Sequence, residues 1–495
     1  MTELVLGIDI GTASSKAVLA DPDGRVVAEA ERPHQLSLPR PGWAEHDADA
    51  VWWEDVVALC HEIVPGMADR IRCVCVSGIG PCLLPADESG TPLRPAILYG
   101  IDTRATAEIA ELSERYGEDE IVGRCGSPLT SQAVGPKLLW LRRNEPEVWA
   151  RTRRWFMASS FAVHRLTGEY VLDHHSASQS DPLYDMEAQD WIGSWAGDIV
   201  SDLPLPALAW PDDVVGEVTR DAGSATGLRP GTPVAAGTVD AWAEALSVGV
   251  RRTGDLMLMY GSTMFLVQFV RERASHPGLW ATAGLDAESC CLAGGMATSG
   301  SLTDWLRRLV GGPSFGELLA EAAEVPAGSG GLLVLPYFAG ERTPLFDPSA
   351  RGVICGLTLG HGRGHLYRAL LEATAYGVRH NLEAMEEAGG QPGRIVAVGG
   401  GTEGGLWTQI VSDVIGMAQE VPRYRRGASY GDALLAARAV GLVAPDTDWT
   451  ELDHVVEPDA PTRERYEEMY AAYRDLYPAT LQTVHTLAEM QTAAV

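Results

Sequence analysis

The chain has 495 residues, of which 67 are acidic and 38 basic, giving a formal net charge of −29. That balance excludes nucleic acid as the main partner, because such binding rests on neutralising phosphates, and an anionic ligand has to be held locally by amides, a metal or a few placed cations. The length exceeds what one core usually fills, so two domains are expected, and no apolar run reaches membrane-spanning length.

The first element is an apolar strand, Leu4 to Ile10, with Asp9 near its end. A Gly11-Thr12 turn follows, and a second apolar run, Ser14 to Ala20, returns beside the first. The pattern is that of a phosphate-holding hairpin. Gly11 lets the backbone pass close to an anion, the Thr12 hydroxyl can donate to it, and Asp9 is placed to hold a hydrated cation. An ordinary first hairpin of a sheet has the same outline. The N-terminus enters this strand without a basic region or an apolar signal core, so a cytoplasmic protein is expected. Asp21 to Gly24 is a turn and Arg25 to Glu31 a third strand, completing an antiparallel meander.

Pro39 to Asp47 reads as a loop. Asp49 to Val64 is a helix with Trp52, Val56, Leu59 and Ile63 on one face. Ile71 to Ser77 is a strand that ends in the loop Gly78 to Cys82, and Pro95 to Tyr99 approaches a second loop, Gly100 to Arg104, that opens a helix. Meander, helix, strand, loop and helix together indicate an α/β class. The middle of the chain is mostly helical, with Gly168 closing one helix and Pro204 to Pro211 forming a proline-rich connector. His174-His175 is assigned to the surface, because adjacent histidines point apart and no acid spacing completes a metal site. Thr232 to Asp240 is a strand running into a helix, which leaves Asp240 at the helix start, where capping is the simplest role.

The opening theme then recurs. Asp255 to Phe269 is again a strand, a glycine-hydroxyl turn at Gly261-Ser262-Thr263, and a strand, so the halves read as a duplication, with a hinge expected near Val248 to Gly254. A third glycine cluster, Gly399-Gly400-Gly401-Thr402, follows the strand Arg394 to Val398. Three strand-ending loops able to approach phosphate or a nucleotide outweigh any one of them. The eight cysteines show no paired metal-ligand spacing and are expected as reduced, buried thiols. The terminal helix, Arg463 to Leu487, carries an aromatic face that either packs on the core or serves a homodimer.

These motifs lie in the order found in the FGGY carbohydrate kinases of the actin-like ATPase superfamily, which the sequence resembles over nearly its whole length. The resemblance is carried by Asp9-Ile10-Gly11-Thr12 with Lys16, Pro136 to Leu141, Asp240, Tyr260 to Thr263, Gly352 to Leu357 and Gly399 to Gly401. It implies two ribonuclease-H-like domains with a cleft between them: residues 1–247, carrying the sugar site, the first hairpin and the catalytic Asp, and residues 248–495, binding the nucleotide. It also implies ATP-dependent phosphorylation of a hydroxyl on a free sugar or polyol. By position, Asp9 corresponds to the magnesium site and Asp240 to the catalytic base. Gly11, Thr12, Lys16, Gly261, Ser262, Thr263, Gly300, Asp304, Gly400, Gly401 and Thr402 correspond to the ATP site. Pro81, Cys82, Tyr99, Asp102, Arg104, Asp240 and Phe265 are assigned to the sugar.

The loops Gly42 to Glu45 and Arg94 to Leu98 are similar to those of the xylulokinase-like branch, pointing to a ketose of about five carbons such as xylulose. The loop Gly78 to Cys82 lacks both the Met-His pair usual in xylulokinases and the Arg-Glu pair of glycerol kinases. Kinases for glycerol, ribulose or fuculose are the alternatives, followed by a non-catalytic actin-like ATPase or a sugar sensor. No membrane or nucleic-acid partner is implied.

Overall fold

In the computed structural model, which describes residues 2–493, the chain forms two seven-stranded mixed sheets with helices between and around them. The first sheet contains β1 (Leu4–Ile10), β2 (Ser14–Ala20), β3 (Val26–Pro33), β4 (Ile71–Gly78), β5 (Val214–Glu217), β6 (Pro233–Ala235) and β7 (Thr238–Val239). Its order is β5-β6-β4-β1-β2-β3, with β7 also pairing β4. The second contains β8 (Asp255–Tyr260), β9 (Met264–Val270), β10 (Trp280–Ala283), β11 (Cys290–Met296), β12 (Arg394–Val398), β13 (Gln419–Pro422) and β14 (Leu452–Val456), in the order β10-β11-β9-β8-β12-β13-β14. In each sheet an antiparallel hairpin is extended by a further antiparallel strand on one side, while its first strand runs parallel to a later strand on the other. The duplicated sequence pattern is therefore a duplicated topology.

Burial follows the residue pattern. β1 is almost wholly enclosed, as its continuous apolar run requires, whereas the edge strand β3 alternates between partly and fully exposed residues, as Val26-Val27-Ala28-Glu29 predicts. The expected strand over Thr232 to Asp240 is instead two short strands. Gly237 breaks it in the left-handed region, where a Cβ would lie 1.9 Å from the Val76 carbonyl oxygen. The proline-rich connector contains a short strand, Ala207–Ala209, that pairs with Val171–Asp173.

Six helices carry site residues or join the two halves: α1 (Glu54–Ile63), α2 (Val134–Asn144), α3 (His174–Ser178), α4 (Asp240–Ser247), α5 (Gly300–Leu309) and α6 (Ala428–Ala439). α4 leaves the first sheet and lies on the second, packing Trp242, Ala245 and Val248 against Met257, Val267 and Val396. α6 does the reverse. It follows β13 of the second sheet yet packs Ala433, Leu434 and Ala437 against Val5, Val18 and Cys75 of the first. All strands of the first sheet precede residue 240 and all of the second follow 254, but α6 carries the chain back across that division.

The two helices cross with only a glycine between them. A Cβ on Gly431 would sit 1.8 Å from the Ala243 carbonyl oxygen, and one on Gly7 in β1 would sit 2.0 Å from the Ser429 carbonyl oxygen. Backbone cannot retreat from such contacts as a side chain can. Gly431→Ala and Gly7→Ala are each expected to cost about 1–3 kcal/mol, as overpacking does. Gly197→Ala, in the helix Gly193–Val200 where a Cβ meets nothing within 4 Å, is expected to be neutral or stabilising. Urea denaturation of the three variants checks this.

Candidate active site

β1, β4, α4 and α6 bring carboxylates into one place. Asp9 pairs in register with Lys16 of β2 on one side and Ser77 of β4 on the other. The Ser77 hydroxyl donates to Asp432 of α6 at 2.6 Å. Asp240 and Glu244 lie one helical turn apart on the same face of α4, and both act electrostatically on Asp9. Burial pushes the Asp9 pKa well up, with Asp240 and Glu244 adding to the shift and Lys16 and Ser77 opposing it. Burial raises Asp240 to about 7, against the Ala241 amide, which donates to its carboxylate at 2.7 Å. Glu244 and Asp432 are raised by the same cause. One Asp9 oxygen, Oδ1, is buried without a partner. Lys16 also lies 3.6 Å from Glu31, so it is shared between charges.

Asp240 is the first residue inside α4. The cap position belongs to Val239, whose side chain makes no capping bond. Asp240 instead faces a cavity of about 310 Å³ between the halves, together with Gly80, Tyr99 and Gln132 of the first half and Thr263, Phe265 and Arg342 of the second. Tyr99 links this cavity to the first turn, its hydroxyl 3.1 Å from that of Thr12. Arg342 is the one cation lining it among the described residues.

Both glycine-hydroxyl turns are held from behind. The Gly11 amide donates to Ser14 across its own turn at 3.0 Å, and its carbonyl accepts from His34 Nε2 at 3.0 Å. His34 Nδ1 in turn is 2.8 Å from Asp55 of α1, which also accepts from Ser15 and Arg32. At the second turn, the start of α5 closes on the backbone. Gly300 donates to the Gly261 carbonyl at 2.9 Å, and the Ser299 and Ser301 amides donate to Ser262. Asp304, one turn along α5, is partly exposed and paired with Arg307 and Arg308. Gly401 has no room for a side chain, since a Cβ would meet Trp407 at 2.7 Å, whereas Gly400 faces open space. The Thr402 hydroxyl accepts from Arg425 at 2.6 Å.

Four residues assigned to the sugar lie away from the cavity wall. Asp102 and Arg104 form a closed ion-pair cluster with Glu45, the Arg104 guanidinium 3.8 Å over the Trp43 ring, and Asp102 is 1% exposed. Tyr99 and Ile101 from the same loop reach the cavity instead. Pro81 and Cys82 are buried, the Cys82 thiol pointing to the Ile79 carbonyl with its pKa pushed up to about 12 by burial. From that loop Gly80 contributes to the wall.

The surface assignment of His174-His175 is corrected. His175 is fully buried, its ring 3.8 Å from Trp242 and its Nδ1 2.6 Å from the Ala283 carbonyl, and desolvation lowers its pKa to about 3. His174 stacks on Trp210 and bonds Tyr184. What sequence spacing could not reveal is the strand they face. β10 is an edge of the second sheet, and its backbone is satisfied by His175 and Ser178 at Ala283 and by Ser127 at Ala281. That clasp joins the halves beneath the cavity. The thiol expectation needs a similar amendment, because Cys355 is exposed and Cys290 half-buried, although all eight are free.

Glu244, Asp432 and Arg342 join the site without having been singled out by sequence pattern. Signals existed for each: Glu244 is four residues after Asp240 on a helix, Asp432 is the lone carboxylate of a largely apolar helix, and Arg342 belongs to the charged pair Glu341-Arg342 that follows Gly340.

Comparison with known proteins gives matching results over nearly the whole chain. The sequence profile of the N-terminal domain of the FGGY family of carbohydrate kinases matches residues 4–247, and that of the C-terminal domain matches residues 256–440. The xylulose kinase of Escherichia coli is 29% identical over 97% of this chain and 99% of its own length. Glycerol kinase 2 of Streptomyces avermitilis is 30% identical over 91% of this chain and 90% of its own. The crystal structure of xylulose kinase from Rhodospirillum rubrum superposes with a TM-score of 0.91 at 33% identity, covering 98% of this chain and all of that one.

The raised carboxylates carry a stability consequence. Asp240 titrates near pH 7 when folded but near 3.8 when unfolded, so between those values the folded state holds the extra proton and stability falls as pH rises. Asp240→Asn removes that cost. Its melting temperature is expected to exceed the parent's by a few degrees at pH 8, with the gain shrinking toward pH 4, as thermal scans across that range would register.

Proposed function

The chain belongs to the FGGY family of carbohydrate kinases, and on that premise we propose that it transfers the γ-phosphoryl group of ATP to a hydroxyl of a ketose of about five carbons, xylulose first among them. The observation that carries this reading is one shared space. Asp240, from the first half, and Thr263, from the second hairpin turn, line the same cavity. A proton acceptor and a phosphate-facing turn are thereby brought to one acceptor molecule. The named activity of relatives matched over nearly the full chain supports xylulose, and Tyr99 and Gln132 are among the polar groups that would meet its hydroxyls.

Phosphoryl transfer needs positioning and charge neutralisation more than covalent chemistry. Asp240 accepts the proton of the attacking hydroxyl. A folded-state pKa of about 7 suits a base working near neutral pH. The turns at Gly11-Thr12 and Gly261-Ser262-Thr263 hold the phosphates from opposite sides, Arg342 lies against the charge of the transferred group, and Gly400 leaves a face open to the nucleoside. Magnesium fits at Asp9, whose buried Oδ1 lacks a partner among neighbouring carboxylates that a divalent charge would relieve. Among the described residues no three acidic, His or Cys side chains converge as a metal cage. Asp9 would therefore be the protein's contribution to an ion otherwise held by phosphate oxygens and water, which supplies charge neutralisation on the phosphates. With ATP as donor, the cytoplasm is the site of action.

Release of ADP measured across D-xylulose, D-ribulose, xylitol and glycerol tests the assignment. The largest kcat/KM is expected with D-xylulose, and stimulation by glycerol alone, or by none, would contradict it. Asp240→Asn is expected to bind magnesium-ATP as the parent does and to lose on the order of 10²–10⁴-fold in transfer rate. Turnover within about threefold of the parent, well under the general-base range, removes Asp240 from the base role.

A further inference from the structure

The cavity holds a second carboxylate that neither the hairpins nor the proton transfer uses. Asp181 is 5% exposed and lines the wall, and its Oδ1 is buried with no hydrogen-bond partner. Among the described residues no cation or donor offsets its burial, which alone drives its pKa well above the ordinary value. Its backbone is fixed: the carbonyl accepts from the Gly135 amide of α2 at 3.0 Å, and a Cβ on Gly135 would lie 2.6 Å from that oxygen.

Besides Trp242 Nε1 on α4, two more buried polar atoms on the same wall lack partners, Thr282 Oγ1 and Trp280 Nε1, both on β10. Their strand is gripped by Ser127, His175 and Ser178 of the first half, so they are held opposite groups from the other half. Unsatisfied buried polar atoms are costly and uncommon in folded proteins. A cluster of them on one wall is a place where a ligand's polar groups would be satisfied. An Asp accepts when ionised and also donates when protonated, an indole N–H donates, and a threonine hydroxyl does either, a set matched by a polyhydroxy chain, whose hydroxyls both donate and accept.

We propose that Asp181, with Thr282 and Trp280, is the specificity-determining subsite for the acceptor's distal hydroxyls, those not phosphorylated, and that it selects a polyhydroxy chain over a shorter or deoxygenated one. This rests on the kinase reading above. Asp181 takes the donated hydrogen bond that the loop Gly78 to Cys82 does not supply, since that loop offers the cavity only Gly80.

The test uses the full-length protein, ADP release, and the acceptor that the parent turns over best among D-xylulose, D-ribulose, xylitol and glycerol. Asp181→Ala is expected to raise the acceptor KM at least about tenfold, the scale of a lost hydrogen bond to a charged group. Its kcat should stay within about threefold of the parent's, its KM for ATP should be unchanged, and its melting temperature should not fall. Thr282→Val, which keeps the volume, is expected to raise the same KM in the same direction. An acceptor lacking a distal hydroxyl should be disfavoured by the parent and no longer disfavoured by Asp181→Ala. An unchanged acceptor KM in both variants, or an equal penalty for the deoxygenated acceptor in parent and variant, overturns the subsite while leaving the kinase reading standing. Absence of turnover by the parent with all four acceptors overturns the kinase reading and this subsite with it.

Discussion

Everything at the cleft depends on two helices crossing between two sheets with no side chain between them. Because Gly431 lets α6 meet the Ala243 carbonyl of α4, each helix can lie on the sheet of the other half. The crossing sets Asp240 and Glu244 from one helix and Asp432 from the other around the end of β1, where Asp9 sits. A helix pair held apart by even one methyl group would separate these carboxylates and loosen α6 from β1 at Gly7. Close backbone contact here is thus the condition for a site assembled from both halves.

The second consequence is electrostatic. Asp432 is buried and Asp9, Asp240 and Glu244 are half-buried; Lys16 offsets only Asp9 and Glu244, and all four carboxylates are held above the ordinary range chiefly by desolvation. Burying charge without compensation opposes folding, so the free protein carries a cost that a divalent cation near Asp9 would relieve. The two glycine-hydroxyl turns are by contrast supported from behind. His34 and Asp55 brace the first, and the start of α5 braces the second. On the proposed reading, the backbone is braced where the phosphates would bind, and charge is left unsatisfied where a cation and a hydroxyl would be received.

Much of this was legible in the sequence because it is local. Strand, glycine turn and strand at Leu4 to Ala20 and again at Asp255 to Phe269 announce both hairpins, and a carboxylate at the end of a buried strand marks Asp9. The two sheets and the cleft followed from that repetition together with family resemblance. What was missed depends on contacts between residues far apart in the chain. Asp432 looks like any polar residue in a helix until α6 is seen to return to the first sheet and meet Ser77. His174-His175 reads as exposed because its partners, Trp210 and the Ala283 carbonyl, are distant in sequence. The loop carrying Asp102 and Arg104 does reach the cavity through Tyr99 and Ile101, but spacing alone could not show that the charged pair turns toward Glu45 and leaves its aromatic neighbour at the wall.

The central claim is that two turns some 250 residues apart grip one nucleotide from opposite halves. Amide hydrogen exchange, recorded with and without magnesium and a non-hydrolysable ATP analogue, tests it most directly. The expected result is slowed exchange at both Gly11 to Ser14 and Gly261 to Thr263 at the same analogue concentration. Protection confined to one of the two turns, or absent from both at saturation, would contradict it.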